Sequence, residues 1–302
     1  MQYSTFAAID IGSYDVILEI FEISKKQGIR SVDKICHRME LGKDTYTLGK
    51  IRPEMEEELC RVLADFVRIM EGYRVDDYRA AASSAISEAS NSLYVLGKIH
   101  QLTGLSVTVL SNSEQRFLSY KALAAMEDNF NKIIEKGTAI LDLDGGSFQI
   151  SLYDKDALVT TQNIRMGSLR IRERLAGIQS ETEHYEEMVE ELIWNEVSSF
   201  KKMYLKDRKI ENIMLIGDVF TDSVYQNIEE KTTKIISREN FNTWYEKIIR
   251  QSPMELAVKL GIPLENASLM YPSAVIYKCL IDMMGAEHIW IPGVHMTRGI
   301  AS

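Results

Sequence analysis

At 302 residues the chain is long enough for two domains of ordinary size, and its 45% hydrophobic and 26% charged residues are those of a globular protein with real cores. A net charge of −9 argues against a general nucleic-acid binder, and no stretch approaches the ~20 apolar residues that span a bilayer. Cys36, Cys60 and Cys279 are widely spaced with no Cys-x-x-Cys, which suits buried thiols in a reducing cytoplasm; the amino terminus carries no signal-peptide pattern.

In chain order, residues 6–37 read as three strands. The first, FAAIDIGS from Phe6 to Ser13, carries Asp10 at its end and then Gly12-Ser13; Val16–Ile23 is a second apolar run. Leu41-Gly42 begins a polar connection through Gly49. Pro53 opens a helix to about Glu71, with Leu59, Val62, Leu63, Phe66, Val67 and Met70 on one face. Tyr78–Ala82 is a short strand running into a Ser83-Ser84 turn, Asn91–Leu102 a helix, and Ser106–Leu110 a strand. Ser113 reads as the N-cap of a helix to about Phe130. The domain junction falls near Ala125, giving domains 1–125 and 126–302.

The second half repeats the scheme. Ala139–Leu143, Gln149–Asp154 and Leu158–Ile164 are three strands, followed by an arginine-rich loop or short helix, Met166–Gly177. Glu181–Tyr204 is a long amphipathic helix, and Ile213–Ile216 a strand ending at Gly217-Asp218. Helices broken at Pro253 fill 238–260; Pro272–Met284 is a helix closed by Gly285, and His288–Ile291 a last strand. The order βββαβα, used twice, gives an α/β protein. His37, His100, His184, His288 and His295 show no metal spacing.

The chemistry centres on AILDLDGGSFQI, Ala139–Ile150. A buried strand breaking into Asp-Gly-Gly-Ser makes a tight turn, where glycines let N–H groups approach a phosphate; the same residues also suit an ordinary hairpin. Asp142 and Asp144 lie two apart, so on a strand they share a side and could hold a divalent cation. Asp144 is open between that role and one that repels phosphate. The strand–Asp–Gly–Ser pattern at Asp10–Ser13 is a second version of this motif, so two similar domains are expected to face one ligand cleft.

These residues resemble the exopolyphosphatase / guanosine pentaphosphate phosphohydrolase family of the sugar kinase–actin superfamily. Its Asp-Ile-Gly-Ser-Asn-Ser strand is matched by Asp10–Asp15, its Ser-Ala-x-Arg-x-Ala-x-Asn by Ser84–Asn91, and its Ser-Gly-x-Glu-Glu-Ala-Arg-Leu by Ser111–Leu118. Its Asp-Ile-Gly-Gly-Gly-Ser-Thr-Glu falls on Asp142–Gln149, its Leu-Gly-x-x-Arg on Met166–Arg170, and a late Arg-Glu-Gly on Thr297–Gly299. The resemblance implies two ribonuclease H-like (actin-like ATPase) domains with a central cleft. It implies a phosphohydrolase of inorganic polyphosphate or guanosine penta/tetraphosphate, using Mg2+, in the cytoplasm, with no nucleic-acid or membrane partner; a homodimer is left open.

Carried over residue by residue, the resemblance places catalysis at Glu114, Gln115 and Asp142. It places phosphate contacts at Gly12, Ser13, Gly145, Gly146, Ser147, Gly167 and Arg170, and the candidate metal acids are Asp10 and Asp142 with Asp144, which is a candidate by its spacing from Asp142 and not by the resemblance. The departures share a direction. The family's water-activating Glu is Gln115 and its metal-associated Glu is Gln149, and an amide neither accepts a proton at neutral pH nor brings charge to a metal. The first glycine of the triplet is Asp144, the hairpin Asn is Tyr14, and the family's arginines fall on Ile17, Ser87 and Thr297, although Arg165, Arg170 and Arg172 could still supply positive charge. Three readings follow: a working phosphohydrolase, a binding or sensing module without turnover, and a partner-binding relative that has lost its ligand.

Overall fold

A computed structural model describes residues 3–26, 28–126, 130–176, 185–206, 208–217, 219–227 and 235–302. The chain divides into two compact units, residues 1–122 with 295–302, and residues 123–294.

The first unit opens with an antiparallel meander: β1 (Ser4–Ile11), β2 (Asp15–Ser24) and β3 (Gly28–Arg38). Helices α1 (Leu41–Leu48) and α2 (Pro53–Tyr73) lead to β4 (Asp77–Ala82), which pairs parallel to β1. The short α3 (Ser84–Ser87) and α4 (Ser92–Thr103) then lead to β5 (Val107–Val109), parallel to β4, and to α5 (Asn112–Met126). The sheet order is β3-β2-β1-β4-β5. Helix α2 forms as its sequence dictates: Pro53 sits where no N–H is needed, and Glu54 and Glu56 face the positive end of the helix dipole. Its Leu59, Val62, Leu63, Phe66 and Met70 are buried with Ile9, Ile11, Leu18 and Ile20 of the sheet. Each such side chain is worth roughly 1.5–3 kcal/mol of burial, so this face is what holds α2 to the sheet.

The second unit begins with α6 (Phe130–Ile134) and repeats the meander as β6 (Thr138–Leu143), β7 (Phe148–Asp154) and β8 (Ala157–Ile164). Next come α7 (Ser168–Leu175), α8 (Tyr185–Phe200) with a π-helical turn at Lys201–Leu205, and β9 (Asn212–Ile216), parallel to β6. The remainder is α9 (Val219–Asn227), β10 (Ile235–Ser237), α10 (Arg238–Ile249), α11 (Pro253–Leu260), α12 (Leu264–Met284) and β11 (His288–Trp290). The order β10-β11-β9-β6-β7-β8 contains the first sheet's pattern, with β10 added antiparallel at the edge. Even the irregularity repeats: the register slips between Ile20 and Phe21 on β2 and between Leu152 and Tyr153 on β7. The closing α13 (Met296–Ala301) belongs to the first unit. It packs backbone to backbone on α5, since a Cβ on Gly299 would lie 2.1 Å from the Leu118 carbonyl oxygen. No helix among the described residues is long and apolar enough to cross a membrane.

Three expectations need correction. Leu41–Leu48 is a helix closed by Gly49 rather than a polar connection. Its one buried acid, Asp44, is neutralised by Arg52, whose N–H (3.0 Å) and Nε (2.9 Å) both donate to it, so polar residues can face inward. Helix α12 begins at Leu264, just after Pro263, and carries Pro272 in its interior; burial on nearly all sides outweighs the helix-breaking tendency. Helix α5 is capped by Ser111, not Ser113; residues 127–129, before its expected end near Phe130, lie outside the described residues. Strand β10 and helices α6, α9 and α13 had no sequence expectation, and α3 stands where a Ser83-Ser84 turn was expected. Gly177, residues 181–184 and Asp218 lie outside the described residues.

Candidate functional site

In the first unit the β1–β2 turn is closed by the Gly12 N–H donating to the Asp15 carbonyl, 2.9 Å. Ser13 is buried, and its Oγ lies 2.7 Å from the Tyr46 hydroxyl and 3.3 Å from Ser84 Oγ, which are 2.9 Å apart. Three hydroxyls from the turn, α1 and the start of α3 thus meet beside the end of β1. Asp10 lies in register with Ile17 and Ala81, one residue before the strand ends. Asp15 leaves the turn in an ion pair with Arg38, 2.9 Å. Tyr46 carried no sequence signal, because its segment has no periodic apolar pattern.

The segment expected to supply the catalytic base is the first turn of α5. Glu114 Oε2 accepts from the Ser111 N–H (2.8 Å) and the Ser111 hydroxyl (2.7 Å), while the Glu114 N–H faces Ser111 Oγ at 3.3 Å. This is a capping box, satisfying two otherwise orphaned donors of the helix start. These hydrogen bonds hold the Glu114 carboxyl below its ordinary value, the backbone N–H being the larger cause. Ser252 and Glu255 at the start of α11 repeat the arrangement at 2.8, 2.8 and 3.3 Å, with the same lowering. Gln115 donates from Nε2 to the Leu110 carbonyl, 3.2 Å. At Gln115, where the resemblance puts the base, the chain therefore uses the donor end of an amide.

In the second unit Asp142 stands opposite Gln149 across β6 and β7, so their side chains share a face. Gln149 is buried, and next to it on β8 lies Asn163, whose Nδ2 donates to Ser147 Oγ at 3.2 Å. In the turn between the strands, Oδ1 of Asp144 accepts from the N–H groups of Gly146 and Ser147, the latter at 3.3 Å. The carbonyls on the other side are taken by α7. The Ser168 N–H donates to Asp144 O (3.2 Å), the Arg170 N–H to Gly145 O (2.9 Å), and Arg170 Nε to Gly146 O (2.8 Å). Gly167 makes this approach feasible, because a Cβ there would fall 2.4 Å from Asp144 O and Ser147 N. Gly217, at φ +102°, likewise lies where a Cβ would sit 2.6 Å from Asp142 Oδ1.

The sequence model of the Ppx/GppA phosphatase family matches residues 19–300. The chain belongs to that family. An exopolyphosphatase from Cytophaga hutchinsonii superposes with a TM-score of 0.85 over 98% of this chain and 96% of its own, at 17% identity. The Aquifex aeolicus Ppx/GppA family member gives 0.77 over 99% and 97%, at 18% identity. At such identities the likeness is one of fold, the two-domain actin-like α/β fold of the Ppx/GppA proteins. Among curated relatives, a bifunctional 3-dehydroquinate synthase/phosphatase of Fusobacterium nucleatum is 21% identical over 94% of this chain and 44% of its own length. Exopolyphosphatase 1 of Mycobacterium leprae is 25% identical over 47% and 41%. The chain spans less than half the length of these curated relatives.

Ppx/GppA phosphatases are generally metal-dependent, so the donors present were weighed against a magnesium ion, which takes hard oxygen ligands in near-octahedral geometry. The second unit offers Asp142, but opposite it is the neutral Gln149, and Asp144 is turned onto its own backbone. Among the described residues no group of three or more His, Cys, Asp or Glu side chains is arranged to hold a metal ion. These residues do not fit a carboxylate cage for magnesium. Buried Thr297, where the late arginine falls, donates to the buried Glu19 on β2, which also accepts from Ser31 Oγ at 2.6 Å. An acid in the middle of the apolar strand DVILEIFEIS was the sequence signal for that cluster.

Proposed function

We propose that this Ppx/GppA protein binds inorganic polyphosphate or guanosine polyphosphates with little or no hydrolysis. The observation that carries this reading is the hydrogen bond from Gln115 Nε2 to the Leu110 carbonyl. Phosphoryl hydrolysis needs a carboxylate that can take a proton from water, and an amide cannot do so. Leu110 O wants a donor, so a carboxylate at 115 would set oxygen against oxygen; the local backbone is built around the amide. Glu114, the neighbouring acid, is engaged by Ser111 as a helix cap. The backbone of the glycine turn at 145–147 is what remains for oxyanions.

A thermal-shift screen with polyphosphates and guanine nucleotides, with and without magnesium, followed by phosphate release on every hit, tests the reading. Ligand-raised unfolding temperatures without phosphate release above background support it. Sustained release would instead favour the second reading, a working phosphohydrolase. The observation on that side is the Fusobacterium nucleatum relative, named in part a phosphatase and matched over 94% of this chain.

A further inference from the structure

The β6–β7 turn already holds an anion, supplied by the chain itself. Two amides, those of Gly146 and Ser147, converge on one oxygen, Oδ1 of Asp144. Successive N–H groups converging on one point make a nest for a negatively charged oxygen, and a phosphoryl oxygen would need that same point. The turn has little freedom to offer another. From behind, α7 ties down the carbonyls of Asp144, Gly145 and Gly146 through Ser168 and Arg170, and Gly167 packs against the turn with no room for a Cβ. One polar atom here is unspent: the hydroxyl of Ser168, on a side chain 1% exposed, has no hydrogen-bond partner among the described residues, although the Ser168 N–H is anchored to this turn.

We infer that Asp144 is a built-in carboxylate ligand of this nest and sets its specificity: a phosphoryl group enters only when the Asp144 side chain leaves. The inference rests on the proposed phosphate-binding function and deepens it. A resident carboxylate acts twice against an incoming phosphate, by occupying the two amides and by presenting like charge at contact distance. The nest therefore selects against small, highly charged oxyanions. An extended ligand with contacts elsewhere could supply the free energy to displace Asp144.

The test uses inorganic tripolyphosphate as probe with the 15N-labelled parent, Asp144→Asn and Asp144→Gly, following amide shifts and affinity together. Asn keeps an oxygen on the same two amides and removes only the charge, so it protects the test against a misfolded glycine variant. Weak binding by the parent is expected, about tenfold tighter binding by Asp144→Asn, and tighter still by Asp144→Gly, with the saturating shifts at Gly146 and Ser147. Equal affinities in all three proteins, or shifts confined to other amides, would overturn the inference and leave the proposed function standing. No tripolyphosphate binding by any of the three would overturn the inference together with the polyphosphate arm of the proposed function.

Discussion

In the turn between β1 and β2 the carboxylate comes after the glycine. Asp15 sits at the start of the outgoing strand and is held by Arg38, while the turn's hydroxyl, Ser13, is taken up by Tyr46 and Ser84. In the turn between β6 and β7 the carboxylate comes before the glycines, and Asp144 bends forward onto the amides of Gly146 and Ser147. The two turns close the same step of two sheets built to one plan, down to the slipped register in the neighbouring strand pair. The ladder is made by backbone groups and survives almost any sequence of the right apolar pattern. Chemistry at the turn depends on a single side chain, and moving an acid across the glycines changes an ion-paired turn into one whose amides are satisfied from within.

The largest expected effect separates the glycines that support each turn. Gly167→Ala drives a Cβ into backbone atoms at 2.4 Å, so the second unit should lose about 3 kcal/mol or more in urea unfolding. Gly12→Ala meets Asp15 at 3.0 and 3.1 Å, which a small shift relieves, and about 1 kcal/mol is expected. Similar losses from the two substitutions would mean that the turns are supported alike.

The next effect bears on Glu114. If it is a helix cap like Glu255, Ser111→Ala and Ser252→Ala should each cost about 1 kcal/mol, read as denaturant midpoints. Both carboxyls lie below the ordinary 4.5 when folded, so their contribution is full above that pH and is lost as the pH falls through the lowered folded value. Each alanine variant should therefore differ most from the parent at pH 6, and the difference should shrink in acid. A loss in Ser111→Ala that persists undiminished at low pH would separate Glu114 from this pairing. The smallest effect is that of Tyr46→Phe, which removes one hydroxyl from the Ser13 cluster and should cost roughly 0.5–1.5 kcal/mol, with the turn otherwise intact.

Much of this architecture was legible in the sequence, because strands β1, β2, β6 and β7 are apolar runs ended by Asp and Gly, and α2 keeps a clean helical stripe. Helix α1 was not legible, since it buries Asp44 and Thr45 and depends on Arg52 and on the Ala85 carbonyl, which accepts from Thr45 Oγ1. The interior Pro272 misled for a related reason: local preference gave way to tertiary burial. At the site, the amides at Gln115 and Gln149 could be read by position alone as departures from the carboxylates the resemblance implies. The direction of Asp144 could not, because a carboxylate two residues from another fits a metal pair as readily as a turn cap until the backbone is seen. Cap assignment failed by two residues at Ser113 because Ser111 and Ser113 both offer a hydroxyl, and only Ser111 has a Glu three residues on.

The central claim, that the catalytic position is spent on an amide, is tested most directly by magnesium-dependent phosphate release from the parent beside the Gln115→Glu/Gln149→Glu double variant. General-base help is typically worth 10²–10⁴-fold, and only part of it is expected back, since Asp144, Tyr14 and Ser87 also depart from the motifs the resemblance implies and Leu110 O disfavours a carboxylate at 115. The account predicts release near background from the parent and a gain of about tenfold or more in the double variant. Robust release from the parent, or no gain in a folded double variant that still binds tripolyphosphate, would contradict it.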